Sequence, residues 1–117
     1  MEILNIPIGH GHITQGDTIS EILFEFDSES DIDLSASGVI IKMQVYNNNI
    51  KIIDIETGRG ITILSDKKFK IDEVSKDDNT LPAGSFMGDL EITDGNGKRF
   101  TYFRVKYTIE KQYTKWN

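Results

Sequence analysis

With no cysteine among its 117 residues, this chain has no thiol catalysis, disulfide or Cys–zinc site to offer. Any chemistry must come from histidine, carboxylate, hydroxyl or glycine-loop groups. The two histidines form one pair, His10-Gly-His12. On an extended chain, side chains at i and i+2 point the same way, so the two imidazoles would share a metal only if a distant carboxylate joined them. The plainer reading is a Gly-containing stretch that joins an arm to the domain. Carboxylates recur at Asp27, Glu29, Asp31 and Asp33, a density of oxygen ligands that suits Ca²⁺. The helix–loop–helix calcium pattern needs Gly at its sixth position and Glu at its twelfth. Ile32 and Gly38 stand there instead, so these four residues are weak metal candidates beside the reading of a solvated turn. Gly58-Arg-Gly60 and Gly95-Asn-Gly97 precede no helical pattern and lack the Lys-Ser/Thr of a phosphate loop. No Ser sits in a Gly-x-Ser-x-Gly elbow, and nothing singles out a carboxylate pair for glycoside hydrolysis. No catalytic residue set emerges, so the expectation is a protein that is not an enzyme and uses no cofactor.

The elements that position these residues are strands. Ile, Val, Thr, Phe and Tyr are plentiful while Ala and Leu are scarce, a bias toward β structure. Period-two alternation agrees with it. Val39, Ile41, Met43 and Val45 share one face, with Lys42 and Gln44 on the other. Phe86, Leu90 and Ile92 oppose Asp89, Glu91 and Thr93. Phe103, Val105, Tyr107 and Ile109 oppose Arg104, Lys106 and Thr108. No segment shows a capped helical stripe. The predicted strands are roughly 2–7, 17–27, 38–46, 50–56, 60–64, 68–72, 84–94 and 98–110. Asn47-Asn48-Asn49 reads as a tight turn, and Asp94-Gly95-Asn96-Gly97 as a hairpin. The expected core is Ile22, Phe24, Phe26, Leu34, Val39, Ile41, Met43, Val45, Ile61, Ile63, Phe69, Ile71, Phe86, Leu90, Ile92, Phe103, Val105 and Tyr107. This pattern predicts an all-β, single Ig-like antiparallel β-sandwich of about seven or eight strands, with a small β-barrel as the alternative. The expected organisation is an N-terminal extended arm over 1–15, the sandwich over 16–110 and a C-terminal tail over 111–117.

Thirteen bases against nineteen acids give a net charge of −6, which argues against a non-specific nucleic-acid binder. The longest apolar runs are three residues, far short of the about 20 that a membrane-spanning helix needs. Met1-Glu2-Ile3 has no basic start, so no secretory leader is expected. Charge is unevenly placed. Residues 17–33 hold seven acids and no base, and residues 98–117 hold six bases and one acid. Two readings compete. The blocks pair inside one sandwich, or they are opposite poles that meet between subunits. Both ends look adhesive. Ile3, Ile6 and Ile8 lie in an apolar extended stretch, with Pro7 limiting ladder pairing. Tyr113 and Trp116, the only Trp, are types enriched at binding hot spots. With Arg104 and Lys106 from the basic block, these are the interface candidates. Trp116 has a second reading, as a cap over its own core.

Several segments occur in a recognisable order: Gly16-Asp17-Thr18, Ile32-Asp33-Leu34-Ser35, Gly60-Ile61-Thr62-Ile63, then Leu81-Pro82-Ala83-Gly84-Ser85-Phe86 running into Gly88-Asp89-Leu90. This order resembles small immunoglobulin-like structural proteins of tailed bacteriophages, in particular the N-terminal domain of the phage upper baseplate proteins. It covers roughly residues 16–109. Ala36 stands where that pattern commonly has Gly, and Ile19 where it often has an aromatic. The resemblance implies a non-enzymatic virion structural protein of the tail or baseplate, the neck or the capsid surface. It implies other virion proteins as partners, a homo-oligomer in the assembled particle, and a location in the virion after assembly in the host cytoplasm. It implies neither nucleic-acid nor membrane binding. The alternative is a carbohydrate- or Ca²⁺-binding β-sandwich module, for which Tyr46, Tyr102, Tyr113 and Trp116 would supply aromatic surface.

Overall fold

The alternating segments form eight strands in the computed structural model, which describes residues 4–8 and 13–113, with side chains for 13–113. They are β1 (Leu4–Ile8), β2 (Ile22–Glu25), β3 (Ile40–Asn47), β4 (Ile50–Thr57), β5 (Gly60–Ile63), β6 (Lys68–Ile71), β7 (Gly84–Thr93) and β8 (Arg99–Ile109). All lie in one mixed sheet of order β1-β8-β7-β3-β4-β5-β6-β2, and the described residues contain no helix. The all-β expectation holds. The sheet is continuous, and two of its pairings are parallel: β1 with β8, and a two-rung seam between β4 and β5.

That seam divides the sheet into a wide wing, β1-β8-β7-β3-β4, and a narrow wing, β5-β6-β2. Gly60 makes the corner. Its φ of +94° suits glycine, and a Cβ there would lie 2.6 Å from Ile55 Cγ2. The sheet curls until its far strand faces β8 across an apolar interior. Phe24 of β2 stacks on Phe69 of β6, with ring centroids 4.8 Å apart, and reaches Phe103 of β8 at 5.6 Å. Phe26, just beyond β2, meets Tyr102 edge-on at 5.5 Å. Aromatic packing therefore closes the space between the wings where no ladder does.

The core follows the predicted faces. Leu34, Ile41, Met43, Val45, Ile61, Phe69, Leu90, Ile92 and Val105 are almost wholly buried, and Ile71, Phe86 and Tyr107 nearly so. Ile22, Phe24, Phe26, Val39, Ile63 and Phe103 pack against this core but remain partly exposed. Ile13, Ile19 and Ile109 are buried as well, although the expected core omits them. Ile13 lies in the segment read as an arm, yet its carbonyl accepts the Glu110 amide at 2.9 Å. At the centre of the wide wing, inward-facing Gly88 stands opposite Val45 on β3 and Val105 on β8. A Cβ there would collide with the Gln44 carbonyl and lie 2.8 Å from Val45 Cα.

The turns behave as their residues require. Asn48 takes a φ of +56° between β3 and β4, a conformation Asn tolerates. The hairpin between β7 and β8 is organised by Asp94, whose Oδ1 accepts the amides of Asn96 and Lys98, both at 2.9 Å. Asp33 Oδ1 accepts the Ser35 amide at 3.0 Å, while Leu34 turns into the core.

Candidate functional site

Pairing register decides what the wide wing shows to its surroundings. Across β8, β7, β3 and β4 the outward residues form rows: Arg104–Asp89–Gln44–Asp54, then Lys106–Met87–Tyr46–Lys51. A further row runs Thr101–Glu91–Lys42–Glu56. In the first and third rows opposite charges sit on neighbouring strands, the arrangement that stabilises a solvated sheet face. Arg104 Nε lies 4.0 Å from Asp89 Oδ1. Asp54 accepts hydrogen bonds from Lys51 Nζ at 3.0 Å and Gln44 Nε2 at 3.2 Å, which hold its carboxyl below the usual carboxylate range. Arg59 is tied to Glu56 at 2.9 Å, and that contact raises the guanidinium's pKa. Arg104 and Lys106 are exposed on this face; Arg104 stands toward Asp89, whereas the row through Lys106 holds no acid.

The acidic block is answered from a different quarter than the charge pattern alone suggests. Glu21 pairs with Lys70 at 2.9 Å, which raises the lysine's pKa, and Glu25 lies 4.0 Å from Lys68. Lys67 Nζ donates to the carbonyls of Ser30 and Ile32, clamping the acidic loop from beneath. Among the described residues, the bases that meet residues 17–33 are those of 67–70, not those of 98–113. The two blocks flank opposite wings.

The four weak metal candidates do not converge. Asp27 Oδ1 accepts the Glu29 amide at 3.1 Å. Asp33 is occupied by Ser35, whose hydroxyl donates at 2.5 Å and, with its amide, keeps the carboxyl below its ordinary range. No group of three or more metal-ligating side chains comes together among the described residues. The His10–His12 pair lies outside them. The aromatic candidates are also dispersed. Tyr46 is partly exposed on β3, Tyr102 is packed against Phe26 with its phenol pKa raised by burial, and Tyr113 is 86% exposed.

Of the interface candidates, Ile6 and Ile8 stand in register opposite Val105 and Tyr107 of this chain's own β8. Ile3 and Trp116 lie outside the described residues. The sheet ends on β1 at one side and on β2 at the other. Pro7, which cannot donate to a ladder, is suited to such an edge. β2 is four residues long and carries Leu23, 64% exposed, between Glu21 and Glu25. Leu64 and Ile50 are further exposed apolar residues, on the narrow wing and beside the β3–β4 turn.

A cleft of about 250 Å³ lies between β4, β6 and the 72–81 connection. Ile53, Ile55, Ile71, Val74 and Leu81 line it, with Tyr107 at its floor. Four carboxylates, Asp54, Asp72, Glu73 and Asp78, border it; Asp54 is paired with Lys51 and Arg59, and Lys70 stands close enough to Asp72 and Glu73 to feel their charge. Asn79, buried, shapes one wall. Its side-chain amide donates to the carbonyls of Thr14 and Asp17 at 3.1 and 2.9 Å, and its oxygen accepts the Leu81 amide at 3.2 Å. Residues from at least four separated stretches of chain, around 19–22, 52–60, 71–81 and 107, build this cleft, so no local motif announces it. The chain matches no protein-family model and no curated protein.

Proposed function

We propose that this chain is a non-enzymatic structural protein that works by protein–protein assembly, as a component of a tailed-phage virion. One observation carries the assembly reading. The sheet is open, and among the described residues its two outer strands, β1 and β2, have no partner on their outer sides. An open edge offers backbone donors and acceptors to a strand from another chain, and the exposed Leu23 gives the β2 edge apolar surface to go with them. The order of short motifs from Gly16 to Leu90 supports a place in a phage particle. The partners are then other virion proteins and further copies of this chain, and the location is the virion: tail, baseplate, neck or capsid surface.

Light scattering of the full chain across a wide concentration range, alone and with proteins of the particle, tests the reading. Association in either setting is expected. A strict monomer that binds no virion protein would overturn it. The genes beside this one give an independent check, since tail, capsid or fibre genes are expected there.

A further inference from the structure

A second cleft lies at the turn end of β7 and β8. There the loop that carries the chain from the narrow wing to the wide one faces the β7–β8 hairpin. The cleft measures about 590 Å³, within the roughly 300–1,000 Å³ of small-molecule sites, which favour the mouths of curled sheets. Val39 and Ile92 line it together with the rings of Phe100 and Tyr102, whose centroids are 6.3 Å apart and whose planes are inclined at 70°. Polar side chains join this aromatic wall from both sides: Asp31, Asp33 and Ser37 from the loop, and Asp94 and Asn96 from the hairpin.

Several of these polar groups have nothing to bond to in the chain. Among the described residues, no hydrogen bond or ion pair engages the side chains of Asp31, Ser37 and Asn96 or the Tyr102 hydroxyl, and that hydroxyl is open to solvent. Burial and then the nearby charge of Asp94 raise the Tyr102 pKa, yet no hydrogen bond joins the two. Asp94 and Asp33 each commit Oδ1 to their own turns, which leaves Oδ2. The lining narrows the ligand class. No base lines the cleft, and Lys67 lies near Asp33 only from beneath, so an anion is unsuited. The carboxylates do not gather into a metal-ligating group. A wholly apolar ligand would strip water from them and return no hydrogen bond. An organic cation would meet the carboxylates but leave the Asn96 amide N–H groups without an acceptor. A sugar satisfies both kinds of group: its hydroxyls donate to carboxylate oxygens and accept from the amide and the phenol, and its C–H face rests on the electron-rich face of an aromatic ring. We propose that this cleft binds a neutral saccharide. Phe100 and Tyr102 form its apolar wall, Asp31 and Asp94 accept hydrogen bonds from it, and Asn96 donates one. The site adds ligand recognition to the assembly reading and does not rest on it.

Saturation-transfer NMR of the full chain tests this with glucose, galactose, mannose, N-acetylglucosamine and their common disaccharides, and amide shifts of the labelled protein locate the contact. At least one sugar is expected to receive saturation and to move amides of the 31–39 loop and the 94–102 hairpin. Asp31→Ala, at an exposed position without a hydrogen bond of its own, should weaken binding about tenfold, the effect of losing a charged acceptor. Tyr102→Phe removes only the hydroxyl, keeps the ring against Phe26, and should weaken binding a few-fold. Tyr46→Ala, on the outer face of the sheet, should leave it unchanged. Far-UV circular dichroism checks that each variant is folded. Three results would each overturn the proposal. One is a panel in which no sugar receives saturation. Another is binding that Asp31→Ala and Tyr102→Phe both leave unchanged. The third is a response of the same amides to propylammonium but to no sugar, which would make this a cation site. The assembly reading survives all three, because it is read by light scattering and not by these shifts.

Discussion

The wide and narrow wings of this sheet solve the same burial problem by different means. In the wide wing, β3 is paired along both sides, by β4 and β7. Ile41, Met43 and Val45 on its inner face are wholly buried, while Lys42 and Gln44 outside are matched by residues on the adjoining strands. In the narrow wing, β2 has four residues and a partner on one side only, and Ile22 and Phe24 remain partly exposed. Aromatic stacking of Phe24 against Phe69 and Phe103 supplies what the short ladder lacks. The wide wing owes its order to register, and the narrow wing to the contact between wings.

The strongest way to break this contrast is Gly88→Val. Its side chain would enter the Gln44 carbonyl and Val45 at the centre of the wide wing, where overpacking costs about 1–3 kcal/mol even without a backbone collision. The expected outcome is a chain without cooperative thermal unfolding. Next comes a paired truncation. Leu90→Ala, at a wholly buried position, should lower stability by about 2–5 kcal/mol. Phe24→Ala, at a partly exposed one, should lower it by about 1–2 kcal/mol. Urea midpoints measure both. Hydrogen exchange separates them further, because Phe24→Ala should accelerate exchange in β2 and β6 while β3 and β7 stay protected. Equal acceleration in both wings would show that the wings unfold as one unit.

A smaller effect belongs to pH. Burial raises the Tyr107 pKa well above the ordinary value, which is about 10 in an unfolded chain. The unfolded chain releases this proton first. The stability that neutral Tyr107 contributes is therefore fully present below about pH 10 and is lost as pH rises from there toward the folded-state value. Tyr107→Phe should flatten that decline in urea midpoints taken through the alkaline range, leaving the smaller share due to Tyr102, whose pKa burial also raises. The least effect is expected from Glu21→Gln. It removes a solvent-exposed pair with Lys70, and exposed pairs contribute little, so the melting temperature should barely move in moderate salt.

The strands were legible because alternation is a local record of one-sided burial. β3, β7 and β8 fall within a residue or two of the predicted bounds. The buried sets Ile41/Met43/Val45 and Leu90/Ile92 are those the alternation selects. Legibility failed where burial came from a distance. Ile19 is buried because Val74 bridges to it, and Ile13 because its carbonyl joins the end of β8. Neither contact leaves a periodic trace. The charge pattern shows an acidic and a basic block but not their partners, since two of the bases that meet the acids, Lys68 and Lys70, sit in the short strand β6 and the third, Lys67, just before it.

By itself the sequence determined which residues form strands, where the chain turns and which face of each strand is apolar. These follow from φ/ψ preferences and a period of two, both local properties. Tertiary structure alone decided the strand order, the parallel seam at Gly60, the aromatic contact between the wings and the carboxylate-rimmed cleft over Tyr107. Each depends on which distant segments meet when the sheet curls, and pairing across a sheet is a non-local choice that no single stretch of chain encodes.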